Sequence, residues 1–313
     1  MTPKTRFRLR LILLALVLGG AYLALHTYVE RFAYNPSPQL NKTPRDVDLP
    51  FDNIVVTASD GVHIDGWLVL QHPGEDLSAT NSTTPMLLFL HGGEGNMSDR
   101  LEKIHLFHDI GLNVFIIDYR GYGKSEGSPN EEGLTEDALA ARSYLVDQRG
   151  VKPEHLYIYG EGLGAAVGIA LATKADAAGL ITEGATASVL EKIQQTWPLF
   201  PWQYLVRDTF ESVGKISEVH VPVLLIHSVD DDRVAFSDSQ RLFALAHEPR
   251  QLVEIHGSHK DAFVNSFDAY YDAVSRFVHG HYQRSPEQPT EDETTGTSSS
   301  TSGGEPASKE PTP

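Results

Sequence analysis

The stretch from Leu156 to Gly168, LYIYGEGLGAAVG, sets Gly160, Gly162 and Gly164 on alternate positions between an apolar run and an alanine-rich segment. Two chemistries use such spacing. In the first, Gly160-x-Gly162-x-x-Ala165 follows a strand, opens a helix and lets backbone N–H groups approach a dinucleotide pyrophosphate. Glu183, at the end of the run LITEG, would then bond a ribose hydroxyl. In the second, the turn is a nucleophile elbow of the form G-x-S-x-G, which holds a reactive side chain above a sheet. Gly160 and Gly164 are then the small flanks, and Gly162 stands at the nucleophile position with nothing to react.

The remaining polar motifs separate these readings. A dinucleotide fold usually begins at its glycine turn, whereas about five strand-like runs precede this one. His91-Gly92-Gly93-Glu94-Gly95-Asn96 follows an apolar run and can present backbone N–H groups to a developing oxyanion. DYRGYGKSEG, from Asp118 to Gly127, contains Gly123-Lys124-Ser125. The position five before Gly123 is Asp118 rather than glycine, so the P-loop pattern fails. HSVDDDRVAF follows one late run, and HGSHKDAF follows the last. The order of elbow, Asp and His is that of a hydrolase triad.

Positioning such groups takes a sheet with its loops gathered at one edge. Eight short apolar runs are strand candidates: NIVVTA, VHIDGWLVL, PMLLFLHG, LNVFIIDY, HLYIYG, GLITEG, VPVLLIHS and RQLVEIHG. The first two are spaced for a hairpin over Ser59–Gly61. Segments of helical period separate the others, which is the pattern of a mostly parallel sheet with crossover helices. EEGLTEDALAARSYLVDQRG reads as one helix stopping at Gly150, and DAFVNSFDAYYDAVSRFVHGHY as a closing helix. The less regular 188–215, with Trp197, Phe200, Trp202 and Tyr204 among prolines, reads as a short lid-like insertion or as core.

The ends differ from the middle. Residues 1–10 form a basic flank with Lys4, Arg6, Arg8 and Arg10, and an uncharged run follows from Leu11 to Leu25. Extended over 11–28, it reads as a transmembrane signal anchor, with a cleaved signal peptide as the competing reading. The N-terminus would then be cytoplasmic and the main domain on the extracytoplasmic, periplasmic or lumenal, face. The tail 284–313 is acidic, lacks apolar periodicity and reads as disordered. A net charge of −17 argues against nucleic acid as a partner. The chain has no cysteine, which removes disulfides and thiol catalysis.

On LHGGEGN, IDYRGYGKSEGSPNEEGL, YGEGLGAAVG, LITEGATAS, VPVLLIHSVDDDRV and GSHKDAF, the chain resembles the α/β-hydrolase domain family. It looks most like a membrane-anchored branch related to serine aminopeptidase-like hydrolases. The resemblance implies an α/β fold over 31–283, with a mostly parallel sheet of about eight strands flanked by helices. It implies Asp231 as triad acid, with Asp230 and Asp232 beside it, and His259 as base. The oxyanion hole would come from the N–H groups of Gly93 and Leu163, with no cofactor or metal. Three positions depart from the family pattern. Ser228 replaces a usual glycine, Ala235 a usual proline, and Gly162 the nucleophilic serine. The expectation is a protein of the ester- and amide-hydrolysing lineage that is inactive or weakly active, with a pocket for a small ester, acyl or peptide-like ligand. Activated water, or a substitute group such as Ser125, Ser258 or Lys260, is the enzymatic alternative. Glu161 is expected to point away from the turn. A dinucleotide-dependent oxidoreductase is the third reading.

Overall fold

All eight apolar runs become strands of one sheet, whose central strands bury both faces. The computed structural model describes residues 3–79, 83–196, 198, 202 and 206–280. Strands in chain order are β1 (Asn35–Pro36), β2 (Asp52–Thr57), β3 (His63–Val69), β4 (Met86–Leu90), β5 (Glu94–Gly95), β6 (Asn113–Ile117), β7 (Leu156–Glu161), β8 (Gly179–Glu183), β9 (Val223–Ser228) and β10 (Arg250–Ile255). The main sheet runs β10-β9-β8-β7-β4-β6-β3-β2, and the two-residue β1 and β5 pair separately. From β10 to β6 every pairing is parallel; β3 is antiparallel to both β6 and β2. The hairpin over Ser59–Gly61 is therefore present, with Thr57 opposite His63.

Helices are α1 (Pro3–Ala33), α2 (Leu101–Asp109), α3 (Glu131–Ser143), α4 (Leu163–Ala172), α5 (Val189–Thr196), α6 (Ser212–Ile216), α7 (Phe236–Leu245), α8 (Ala262–Asn265) and α9 (Phe267–Val278). Leu88, Leu90 and Ile158 face a core shared with α3, α4, α6 and α7. Leu87, Phe89 and Tyr159 face the opposite core, filled from α2 and α9. The central strands are buried on both faces, which explains their unbroken apolar sequences.

Two helices differ from the sequence reading. The segment after β6 keeps its α form only to Ser143 and rewinds into a wider turn over Tyr144–Gln148 before Gly150. The closing segment breaks at Ser266, whose hydroxyl accepts from the His256 N–H and donates to the His256 carbonyl. That side chain competes with the helical backbone and splits one helix into α8 and α9.

The transmembrane anchor over 11–28 is not supported. Among the described residues no helix is long and apolar enough to cross a membrane. The uncharged run Leu11–Leu25 covers only about 22 Å of helix rise, against about 30 Å of hydrocarbon. The single-pass topology and the extracytoplasmic location rested on that span and fall with it. Within 188–215, Ile193 and Trp202 are buried in the same core as α4. Trp197, Phe200 and Tyr204 lie outside the described residues, as does the tail 284–313.

Candidate active site

The site is assembled at the carboxyl ends of β4, β7, β9 and β10. At the end of β7 the chain turns into α4 through Gly162, whose φ is 53° and ψ −112°. Its N–H donates to the Glu183 carbonyl at 2.8 Å, tying the turn to β8. The flanking glycines are sterically required. A Cβ on Gly160 would lie 2.2 Å from the Gly164 oxygen, and one on Gly164 would lie 2.0 Å from the Leu90 oxygen. Gly164→Ala is therefore expected to destabilise the fold by about 3 kcal/mol through overpacking against backbone. Urea denaturation of the two chains side by side measures it, and an unchanged midpoint would refute the tight-crossing argument.

A Cβ built on Gly162 meets one group within 4 Å, the Nε2 of His259 at 3.9 Å. On the far side of that ring, Nδ1 lies 2.8 Å from Asp231 Oδ2. The Asp231 side chain is 3% exposed and the His259 side chain 24%. The other Asp231 oxygen accepts from the N–H groups of Arg233 and Val234, both at 2.8 Å. Burial raises the Asp231 pKa, but the His259 and backbone hydrogen bonds outweigh it, and the carboxyl ends below its usual range. An ionised carboxylate only accepts, so the proton of neutral His259 belongs on Nδ1, leaving the Nε2 lone pair facing position 162.

The three adjacent acids go to different partners. Asp230 turns outward to His256 at 2.9 Å, and Asp232 accepts the His259 backbone N–H at 3.1 Å. Only Asp231 of the three meets the His259 ring. The other hydroxyls considered are occupied elsewhere. Ser125 donates to the Asp118 carbonyl and accepts the Asp65 N–H, while Ser258 donates to Asp261.

The turn after β4 lies against the elbow. A Cβ on Gly93 would come 3.3 Å from Leu163 Cδ2 and 2.5 Å from the Ala33 oxygen. The peptide that carries the Gly93 N–H is oriented through its own carbonyl, since Gly92 O accepts from His91 Nδ1 at 2.7 Å. Gly93 O in turn accepts from the Tyr122 hydroxyl at 2.9 Å and the Asn35 N–H at 2.8 Å. Leu163 is the first residue of α4, where N–H groups lack intrahelical acceptors and the helix dipole is positive. Among the described residues, no backbone acceptor is paired with the N–H of Gly93 or Leu163. These are the donors an oxyanion would need.

Beneath the elbow lies a charged cluster that sequence reasoning did not find. Glu161 points away from the turn, bonding Arg100 Nε, Lys103 Nζ at 2.5 Å and the Gly92 N–H at 3.1 Å. Lys103 also reaches Glu183 Oε2 at 2.8 Å, an oxygen shared with the hydroxyls of Tyr159 and Tyr270 at 2.5 and 2.7 Å. Glu183 is thus committed to the protein interior and is not presented to a ribose. Among the described residues no cluster of three or more His, Asp or Glu is arranged to hold a metal ion. Glu94, Arg233 and Lys260 form an ionic group on the outer side of the same loops. No periodicity marked either cluster, because both join residues far apart in the chain.

A doubly flanked parallel sheet with an elbow after a central strand, and Asp and His on two later loops, defines the α/β-hydrolase class. The sequence pattern of the family described as alpha/beta hydrolase fold matches residues 85–205. The chain is 33% identical over 267 residues to an uncharacterized protein of Mycobacterium tuberculosis, covering 85% of this chain and 92% of that one. It is 30% identical over 275 residues to Protein bem46 of Schizosaccharomyces pombe, covering 84% and 88%. Among solved structures, the Pyrococcus furiosus esterase Pf2001 superposes with a TM-score of 0.64 at 19% identity, over 79% of this chain and 98% of that one. The chain belongs to the α/β-hydrolase family.

Proposed function

We propose that the chain is a hydrolase frame lacking its nucleophile, which binds a small ester, acyl or peptide-like ligand and turns it over weakly or not at all. The observation that carries this reading is the His259 Nε2 aimed at the bare Cα of Gly162, with Asp231 behind the ring. In a working site a serine oxygen there attacks the ester or amide carbon. The histidine takes its proton, the acid orients the imidazole, and backbone N–H groups hold the oxyanion. In this reading His259, Asp231, Gly93 and Leu163 would take those roles, and Gly162 supplies no oxygen. Loss of the nucleophile in such enzymes costs on the order of 10⁶ in turnover, while binding and the oxyanion donors retain roughly 10³–10⁴ over water.

The open position beside Nε2 also favours a second reading, in which His259 and Asp231 activate a water lodged there. Two assays separate them. The native chain is expected to take no fluorophosphonate label and to hydrolyse short-chain activated esters no faster than His259→Ala. Native turnover that His259→Ala abolishes, without labelling, would replace the first reading with the water mechanism.

A further inference from the structure

In a chain of net charge −17, the mouth of this site is flanked by cations. Arg233 lies two residues after Asp231, and Lys260 immediately follows His259. Both converge on one carboxylate, Glu94, the residue after Gly93. Arg233 Nη1 is 3.0 Å from Glu94 Oε2, and Lys260 Nζ is 3.1 Å from Glu94. Those two contacts bring the acid loop, the base loop and the oxyanion loop to a single point. The hydrogen bonds from Lys260 and Arg233 hold the Glu94 carboxyl below its usual range. Arg233 also borders a groove of about 270 Å³ lined by Lys192, Gln195 and Ser188 among others. The acids of that groove have partners of their own: Glu191 pairs with Arg241, and Asp238 accepts from Ala187 N–H and Thr186.

Three features favour a recognition site over a structural brace. Arg233, Lys260 and Glu94 are each about half exposed, so their mutual pairing is screened and worth little to the fold. Two cations from different loops share one carboxylate, which leaves them donors to spare when it moves aside. The carboxylate they hold is adjacent in sequence to the Gly93 oxyanion donor. We infer that the site takes an acyl ligand bearing a carboxylate of its own, which Arg233 and Lys260 bind in place of Glu94. The inference rests on the proposed ligand-binding reading of the pocket and names the class of ligand.

Its test needs no turnover. Binding of monomethyl glutarate and of the uncharged dimethyl glutarate to the full native chain is measured by titration calorimetry at low and at physiological salt. The monoanion is expected to bind at least tenfold more tightly, with the preference shrinking as salt rises. Arg233→Ala and Lys260→Ala are each expected to remove most of that preference. Glu94→Gln, which takes away the internal competitor, should strengthen monomethyl glutarate binding about threefold or more. Equal affinity for the two esters, no binding of either, or weaker monoanion binding by Glu94→Gln would each overturn the inference. A nucleophile-restored chain that hydrolyses neutral esters while the native chain shows no anion preference would remove this inference alone. A clear anion preference with a restored chain that stays silent would remove only the hydrolase-frame reading.

Discussion

Gly162→Ser is expected to raise hydrolysis of short-chain activated esters by at least about 10³-fold over the native chain. The Cβ of the new side chain would sit 3.9 Å from His259 Nε2, with no other group within 4 Å. One further bond brings Oγ into the hydrogen-bonding range of about 2.7–3.0 Å. The partners on the far side of the imidazole are already in place, so the substitution supplies the one missing atom. Activity should vanish again in Gly162→Ser/His259→Ala and fall by about 10⁴ in Gly162→Ser/Asp231→Asn, where the tautomer is no longer fixed. Because the Asp231 carboxyl titrates below its usual range, loss of activity under mildly acidic conditions would not report Asp231. The gain has a conformational cost. A side chain at φ 53°, ψ −112° is strained by about 1–3 kcal/mol, so the active variant should unfold at lower urea than the native chain. Silence of Gly162→Ser toward esters and fluorophosphonate alike would mean that the aligned His259 and Asp231 do not constitute a competent pair.

Lys103→Met is expected to be the most damaging single change to stability, costing about 3–5 kcal/mol. Lys103 is buried and bridges Glu161 and Glu183, with the Phe263 ring 5.0 Å away. Without it, Glu161 keeps Arg100, but Glu183 is left with the Tyr159 and Tyr270 hydroxyls and no cation among the described residues. A buried carboxylate without a counter-charge is the expensive outcome. The pH dependence follows from the direction of each shift. Burial works to raise the Glu161 pKa, but Arg100 and Lys103 drive it well below the carboxylate range. Its contribution is therefore complete above the unfolded value near 4.5 and is lost only as pH falls through the lower folded value. Burial works to lower the Lys103 pKa, and the two glutamates raise it above 10.5 instead. Its contribution is complete below 10.5 and lost only at higher pH. The native contributions of Glu161 and Lys103 are thus constant between pH 6 and pH 9, and the Lys103→Met penalty is read by urea denaturation at pH 9. A loss under about 1 kcal/mol would contradict the placement of this charge.

The strands were legible because the central ones are buried on both faces, which makes their apolar runs continuous, and because strand ends are marked by glycine or by polar loop residues. The meeting of Asp231, His259 and Gly162 was legible because each follows a strand in a recognisable order. The resemblance pointed to Asp231, but the residues themselves did not separate it from Asp230 and Asp232, since three consecutive acids differ only in where the loop points them. The break at Ser266 was hidden inside a good helical period, because one hydroxyl bonded to His256 decides it. The clusters around Lys103 and Glu94 depend on contacts between residues dozens of positions apart, and no local pattern encodes those. Residues 11–28 misled for a different reason: an apolar stretch after basic residues suggested a span, but its uncharged core falls short of bilayer thickness.

The two-residue pairing of β1 with β5 gives the start of the folded unit a mechanical meaning. Asn35 and Ser37 donate to the carbonyls of Gly93 and Gly95, and Asn96 returns hydrogen bonds to Ser37 and Gln39. Tyr34 is pinned alongside through its hydroxyl to Asp208. The oxyanion loop is thus stitched to the stretch of chain leaving α1, and any tug on that helix is delivered within a few residues to Gly93. A protease nick before Tyr34 would leave the stitching whole. The same nick between Ser37 and Gln39 would loosen the anchor of the loop while sparing every strand of the main sheet, separating ligand affinity from global stability.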